Sequence, residues 1–131
     1  MSNIQAALGV AQLERLDEFI DRKRRNGQLY RTLPRSISDI ETQPSEVDYA
    51  ENIYWVFGVV LGGSYGFDAI EAMKRLGAYR IGTRPFFYPM HAQPVFKKMG
   101  LFRDAHCPVA DRIADRGFYV PSGLALTEPE I

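Results

Sequence analysis

Three prolines, Pro85, Pro89 and Pro94, fall within one short segment that runs from Thr83 to Pro94. Each proline fixes its own φ, lacks an amide donor and moves the residue before it toward extended backbone. A helix is therefore excluded over this segment, and a place in the middle of a sheet is disfavoured. We predict a stiff, extended loop.

The same segment carries side chains that are suited to binding a ligand. A guanidinium binds phosphate or carboxylate through paired hydrogen bonds, an imidazole donates or accepts near neutral pH, and aromatic rings stack. A rigid loop holds such groups at little entropic cost, which favours a site for a planar or anionic ligand. The alternative is that the aromatic rings fill the core beneath the loop. The candidate binding residues are Arg84, Phe86, Phe87, Tyr88 and His91.

The composition is that of an ordinary globular protein of 131 residues, 46% hydrophobic and 24% charged, which predicts one domain over residues 1–131. Sixteen basic and sixteen acidic residues cancel, which disfavours nucleic acid and anionic membranes as partners. The sequence has neither an apolar run of membrane-spanning length nor the pattern of a signal peptide. The single cysteine, Cys107, excludes an internal disulfide. We expect a cytoplasmic protein.

A long amphipathic helix is predicted at the N-terminus. Ser2 and Gln5 have the spacing of a capping box, and apolar residues follow at helical spacing as far as Ile20. The pair Asn26-Gly27 is expected to loosen or end this helix. The basic run of residues 22–25 follows a turn of acidic residues, so a solvated helix face is favoured over a phosphate or nucleic-acid site.

Further apolar patterns predict a small sheet with short helices around it. The run from Ile53 to Leu61 is typical of a strand buried on both faces, whereas the polar stretch Pro34 to Glu51 is expected to be a loop. Together these patterns predict an α/β fold with the long N-terminal helix packed on the sheet. The other predicted elements are a helix from Phe67 to Leu76 ended by Gly77, a strand over Tyr79–Gly82, a helix from Pro108 to Gly117 and a strand over Phe118–Val120.

The C-terminal residues contain a second capping box, from Thr127 to Glu130, with a proline at an early helical position. Such a sequence predicts a helix, yet only Ile131 follows it. One helical turn does not offset the cost of nucleation. We therefore expect these residues to be part of a longer protein.

Residues for a complete catalytic centre are missing from the sequence. The lysines at positions 23, 74, 97 and 98 lack the desolvated setting that Schiff-base chemistry requires, and no nucleophile triad, phosphate-binding glycine loop or carboxylate pair is evident. His91, His106 and Cys107 do not have the spacing of a compact zinc site. No metal is predicted.

Five collinear motifs resemble the DegT/DnrJ/StrS-type sugar-nucleotide aminotransferases, the perosamine synthase branch in particular. Together they cover nearly the whole sequence in order. The motifs are Ser2–Glu14, Asn52–Phe57, Gly82–Phe96, Cys107–Ala110 and Gly117–Thr127.

This resemblance implies a pyridoxal-phosphate enzyme with the fold of aspartate aminotransferase. Members transfer an amino group, usually from glutamate, to a keto sugar on a nucleotide. For perosamine synthases the acceptor is GDP-4-keto-6-deoxymannose, and the product enters O-antigen polysaccharide synthesis. Family members are homodimers whose active sites take residues from both subunits.

The resemblance further implies that these residues form the small C-terminal domain, truncated at both ends. The large domain, with the Schiff-base lysine and most cofactor ligands, would lie upstream, so no catalytic residue is assigned. Arg84, Tyr88 and His91 would face the nucleotide sugar, and the two phenylalanines between them would shape the site. Asn3 would lie near the cofactor of the neighbouring subunit. Residues 78–81 depart from the simpler Gly-Ile that precedes this motif in the family.

Two functional hypotheses follow. In the first, the chain is the small domain of an aminotransferase that works only together with a large domain, and it binds no pyridoxal phosphate alone. In the second, it is a non-catalytic remnant that binds a nucleotide sugar or dimerises. In either case the isolated chain is expected to be inactive.

Overall fold

Helices pack around a small antiparallel sheet in the computed structural model, which describes residues 1–33 and 37–131. This mixed α/β architecture confirms the predicted fold class. Short 3₁₀ helices cover Met90–Ala92 and Glu128–Glu130. The helices are α1 (Asn3–Leu13), α2 (Leu16–Thr32), α3 (Ala69–Ala78), α4 (Pro94–Lys98) and α5 (Pro108–Arg116), and the strands are β1 (Ile40–Thr42), β2 (Glu46–Val47), β3 (Ala50–Glu51), β4 (Phe57–Leu61), β5 (Arg84–Pro85) and β6 (Gly117–Val120).

The main sheet has the strand order β1-β4-β6-β5, with every neighbouring pair antiparallel. Gly58 pairs with Tyr119 and Val60 with Gly117, while Arg84 pairs with Tyr119 from the other side. Paired residues share a face and successive residues alternate between faces. The sheet therefore has a core face, with Phe57, Val59, Leu61 and Phe118, and a loop face, with Gly58, Gly117, Tyr119 and Arg84.

The core lies between the core face and helices α2 and α3. Phe57 is only 1% exposed, and the ring of Tyr30 from α2 stacks on it at a centroid distance of 4.8 Å. Ala69 and Ala72 of α3 belong to the same buried cluster. Alanine at these positions lets α3 approach the sheet closely, and the aromatic rings supply most of the buried apolar area.

The N-terminal helix is divided, contrary to the prediction of one long helix. The capping box is confirmed, because Ser2 Oγ accepts from the Gln5 amide and the Gln5 side chain accepts from the Ser2 amide. Helix α1 then ends at Leu13, and α2 begins at Leu16. None of the described residues 3–13 is buried, so α2 alone of the two packs on the sheet.

Asn26 and Gly27 lie inside α2 and do not end it, so that prediction was wrong. Both residues are buried. A Cβ on Gly27 would lie 2.2 Å from Cγ of Tyr54. The glycine is present because the tyrosine ring packs directly on the helix backbone, and that packing outweighs the low helix propensity of glycine.

The strand predicted from Ile53 begins only at Phe57. Tyr54 has a φ of +51°, and its amide donates to Asn52 Oδ1 at 2.7 Å. This turn buries the Tyr54 ring while Trp55 stays 67% exposed. The apolar run from Ile53 to Leu61 is therefore continuous in the sequence, but only Phe57–Leu61 forms a strand.

The polar stretch predicted as a loop contains strand structure. Residues 34–36 lie outside the described residues, but β1 pairs with β4, and β2 pairs with β3 in a separate hairpin. The polar residues fit because β1 is an edge strand and Glu41 points away from the core, where Arg112 binds it at 2.7 Å. The prediction of a loop was wrong over these strands.

Most of the remaining elements agree with the predictions from the sequence. Pro108 begins α5, Gly117 caps it and Phe118–Val120 lies within β6, as predicted. Helix α3 passes Gly77 and ends at Ala78. The strand predicted over Tyr79–Gly82 is wrong, because pairing begins at β5. No helix in the described ranges is long and apolar enough to cross a bilayer.

Candidate functional site

The proline-rich segment lies at the edge of the sheet and crosses its loop face. Arg84 and Pro85 form β5, an edge strand of the main sheet, which pairs with β6. An edge position tolerates a proline because one side of the strand needs no donor. The exclusion of helix was wrong, since Met90–Ala92 is a 3₁₀ helix and Pro94 begins α4. The expectation that the segment avoids the middle of the sheet is confirmed.

Phe86 anchors this segment to the sheet. Its ring covers two glycines: a Cβ on Gly58 would lie 2.7 Å from Phe86 Cζ, and one on Gly117 would lie 2.2 Å from Cδ2. The ring also meets Tyr119 edge-on at a centroid distance of 4.5 Å. Phe86 therefore packs on the loop face, opposite to the core face, and its place in a binding site stays a prediction.

Phe87 and Tyr88 are placed quite differently. Phe87 is 75% exposed and Tyr88 is 59% exposed. Phe87 contacts Tyr119 edge-on at 6.3 Å, so one side of its ring is supported while the other faces solvent. Such rings can stack on a ligand without first leaving the core.

Arg84 lines an open groove of about 500 Å³ together with residues that follow β6 and precede β4. Tyr119 is its cross-strand partner, and Val56 and Ser122 form part of the wall. Within the described ranges no hydrogen bond or ion pair engages the Arg84 guanidinium. The side chain is exposed, so all five donors are available to an anion.

A second depression of about 420 Å³ is lined by Phe86, Tyr88 and Asp111 among others, and His91 contacts its wall through Asp111. The His91 Nε2 lies 2.7 Å from Asp111 Oδ1, which fixes the ring orientation. The His91 side chain is 16% exposed, and the carboxylate is 54% exposed. The contact between Phe86 and Tyr119 joins this depression to the Arg84 groove.

Three residues of this site were not predicted from the sequence: Tyr119, Ser122 and Asp111. Tyr119 alternates with Gly117 along β6, and that alternation was the available signal for a side chain on the loop face. Burial raises the pKa of the Tyr119 phenol, so it stays protonated at neutral pH. No sequence pattern marks Ser122 and Asp111, which the tertiary fold brings to the site.

Asn3 stands apart from these residues. It is exposed at the first turn of α1, and no hydrogen bond in the described ranges joins it to the loop face. Its assignment to a cofactor stays a prediction.

The basic run of α2 is not fully solvated, contrary to expectation. Lys23 is half-buried, and its Nζ donates to the carbonyls of Trp55 at 2.7 Å and Ser122 at 2.5 Å. Arg24 donates to Glu51 at 2.7 Å. Burial lowers the pKa of Lys23, but both carbonyls favour its charged form.

The described lysines do not fit the covalent attachment of pyridoxal phosphate. Lys23 is held as a cation by two carbonyls, and Lys74 is 81% exposed beside Glu71. Lys97 and Lys98 are exposed on α4. A Schiff-base lysine must be free and desolvated. Among residues 1–33 and 37–131, no cluster of His, Cys, Asp or Glu side chains is arranged to hold a metal.

The chain belongs to the DegT/DnrJ/EryC1/StrS aminotransferase family, which it matches over residues 1–131. It is 30% identical to the GDP-perosamine synthase of Caulobacter vibrioides, over 100% of this chain and 34% of that protein. Identity to the GDP-perosamine synthase of Vibrio cholerae is also 30%, over 100% of this chain and 35% of that protein. The chain thus spans about a third of the length of these relatives.

Solved structures show the same fold. The sugar aminotransferase CalS13 from Micromonospora echinospora superposes with a TM-score of 0.75 at 28% identity, over 95% of this chain and 31% of that one. DesI, crystallised in the presence of its TDP-sugar product, superposes with a TM-score of 0.81 at 26% identity, over 99% of this chain and 33% of that one.

Proposed function

We propose that this chain is the small C-terminal domain of a pyridoxal-phosphate-dependent aminotransferase that acts on nucleotide sugars. In this proposal the whole enzyme transfers an amino group from glutamate to a GDP-linked 4-keto-6-deoxy sugar in the cytoplasm, for polysaccharide synthesis. The single observation that carries the proposal is the match to two GDP-perosamine synthases along the whole of this chain.

The loop face supplies the chemistry for the substrate side of the reaction. The exposed guanidinium of Arg84, which has no partner among residues 1–33 and 37–131, suits a diphosphate, which it can bind through two parallel hydrogen bonds. Phe87 and Tyr88 offer exposed rings to a base or sugar. His91, oriented by Asp111, can exchange a hydrogen bond with a sugar hydroxyl.

The cofactor chemistry is assigned to residues outside this sequence. Pyridoxal phosphate, when bound, supplies the electron sink that lets an amino group move between two carbon skeletons. Since the described lysines do not fit its attachment, we assign that role to a large domain that contacts this one. A homodimeric partner would complete the site, and Asn3 is the residue proposed to face the partner's cofactor.

A non-catalytic binding or dimerisation module is the second candidate. The observation that favours it is the setting of the lysines, none of which can attach the cofactor. This function would use the same groove without any chemical step.

The deciding experiment is calorimetric titration of the folded chain with a GDP-hexose, with and without pyridoxal phosphate. We expect binding that weakens by about tenfold or more in Arg84→Ala and measurably in His91→Ala, the loss expected for charge-assisted hydrogen bonds. Arg25→Ala and His106→Ala are the matched controls, and both should bind as the wild type does. Equal affinity in all four variants would contradict the proposed site.

The cofactor assignment has its own test. Mixed with pyridoxal phosphate, the chain alone should give no stoichiometric absorbance band that borohydride fixes to a lysine. A band fixed at one lysine would show that this chain attaches the cofactor itself. An assay of transamination after addition of the large domain would distinguish the two candidate functions. Activity would support the enzyme, and its absence would support the non-catalytic module.

A further inference from the structure

One face of α2 supplies donors to three consecutive backbone carbonyls of the segment that follows β6. The Tyr30 hydroxyl donates to the Pro121 carbonyl at 2.6 Å, Lys23 Nζ to that of Ser122 at 2.5 Å, and Asn26 Nδ2 to that of Gly123 at 3.3 Å. The spacings of three and four residues place the three donors on one helix face.

These bonds replace a missing strand partner. Residues 121–123 leave the sheet after Val120, so their carbonyls have no ladder to enter. Pro121 and Ser122 are half-buried, and half-buried carbonyls without donors carry a desolvation cost. Tyr30 and Lys23 meet that need, while the carbonyl of the exposed Gly123 accepts from both Asn26 and the Leu126 amide. These bonds fix where the segment lies.

Lys23 also ties this segment to the approach to β4. The same Nζ donates to the Trp55 carbonyl at 2.7 Å, and Ser122 Oγ donates to that carbonyl at 3.4 Å. Ser122 and Val56, the residue after Trp55, both line the groove that contains Arg84. One ammonium therefore joins two parts of the groove wall that are far apart in sequence.

The Lys23 ammonium is not neutralised locally. In the part of the chain that the structure describes, no carboxylate lies within ion-pair distance of it. Because the side chain is half-buried, its field is screened less than that of a surface lysine. Arg84 then gives the groove one exposed positive charge, and Lys23 places a second behind its wall, bonded to the carbonyl of the lining residue Ser122.

We infer that Lys23 is a positioning residue for anion binding in this groove. Through the carbonyls of Ser122 and Trp55 it holds the walls at Ser122 and Val56 in register with Arg84, and it contributes a fixed positive charge. The inference rests on the proposed function for its ligand, an organic diphosphate. It assigns no chemical step to the lysine.

The test compares Lys23→Met, which keeps the length of the side chain but loses its donors and charge, with Lys23→Arg, which keeps both. Lys74→Met is the matched control, since Lys74 is 81% exposed on α3. Each variant is titrated with a GDP-hexose well below its melting temperature, so that the stoichiometry reports the folded fraction. Amide hydrogen exchange is followed at Leu126, which donates to Gly123, and along β4.

We expect Lys23→Met to weaken binding by about tenfold at unchanged stoichiometry, as for the loss of a charge-assisted bond, and to speed exchange at Leu126 but not in β4. Lys23→Arg should recover most of the affinity, and Lys74→Met should match the wild type. Wild-type affinity in Lys23→Met, even with a lowered melting temperature, would overturn the inference, because a merely structural lysine behaves that way.

If the proposed function is wrong, the titrations give a different result from the one that overturns the role of Lys23. In that case the folded wild-type chain binds no GDP-hexose, and hydrogen exchange alone decides the role of Lys23. Faster exchange confined to Leu126 in Lys23→Met would support the positioning of the groove wall. Unchanged exchange there would overturn it.

Discussion

Phe86 and Phe87 are neighbours in the sequence, yet the fold gives them opposite tasks. Phe86 covers the backbone of Gly58 and Gly117, whereas Phe87 is 75% exposed. Both rings contact Tyr119, but Phe86 lies over the glycine backbone at a centroid distance of 4.5 Å from that ring, whereas Phe87 lies farther out, at 6.3 Å. From the sequence alone, packing and ligand binding were both possible roles for the two residues, because a phenylalanine ring suits either role.

Truncating each ring separates these tasks. Phe86→Ala should lower the free energy of unfolding by about 2–3 kcal/mol, because the ring leaves a cavity over the two glycines. Phe87→Ala should change it by less than about 0.5 kcal/mol, as exposed positions do. Urea unfolding of both variants measures this difference. Equal losses would mean that Phe87 packs in solution.

Two glycines of the N-terminal helices show how an element depends on its neighbours. Gly9 of α1 has no atom within 4 Å of an added Cβ, whereas Gly27 of α2 lies against the Tyr54 ring. Helix propensity penalises both glycines alike. Neither glycine ends its helix, and only packing distinguishes the two, because a side chain would meet the Tyr54 ring at position 27 and open space at position 9 among the described residues.

Alanine at the two positions should act in opposite directions. Gly27→Ala should cost about 1–3 kcal/mol of unfolding free energy, because the methyl group overlaps the tyrosine ring. Gly9→Ala should add helical signal in circular dichroism, with a gain of about 0.5–1 kcal/mol or none in unfolding. Chemical unfolding with both variants tests the pair. A stable Gly27→Ala would show that Tyr54 can move aside.

At the scale of the whole molecule, α1 presents an apolar face to solvent. Ile4 is 75% exposed, Leu8 is 63% exposed, and Ala11 on the same face is exposed too. This face is uncovered because α1 contains no buried residue among the described positions 3–13. Docking of a large domain on it remains our prediction.

The exposed face should make the isolated chain self-associate, since water is excluded when two such faces meet. Leu8→Gln should shift sedimentation toward the monomer and reduce the binding of a hydrophobic dye. Val109→Gln is the control, because Val109 is equally exposed, at 63%, on α5. A monomeric wild type at high concentration, without dye binding, would contradict this expectation.

Local signals determined much of this protein. The capping box at Ser2, the start of α5 at Pro108 and its cap at Gly117 were predicted because each depends on residues within one helical turn. The α/β class followed from the apolar patterns, and the family from motifs in a fixed order. These properties are encoded in neighbouring residues, and neighbouring residues are what a sequence shows directly.

Only the tertiary structure decided the rest. Gly27 lies inside its helix beneath the Tyr54 ring, and Lys23 is half-buried by contacts with Trp55 and Ser122. Both outcomes depend on partners that are far away in the sequence, 32 positions for Trp55 and 99 for Ser122, and that packing selects. The physical reason is that burial and hydrogen bonding between distant segments outweigh local propensities of about 1 kcal/mol or less.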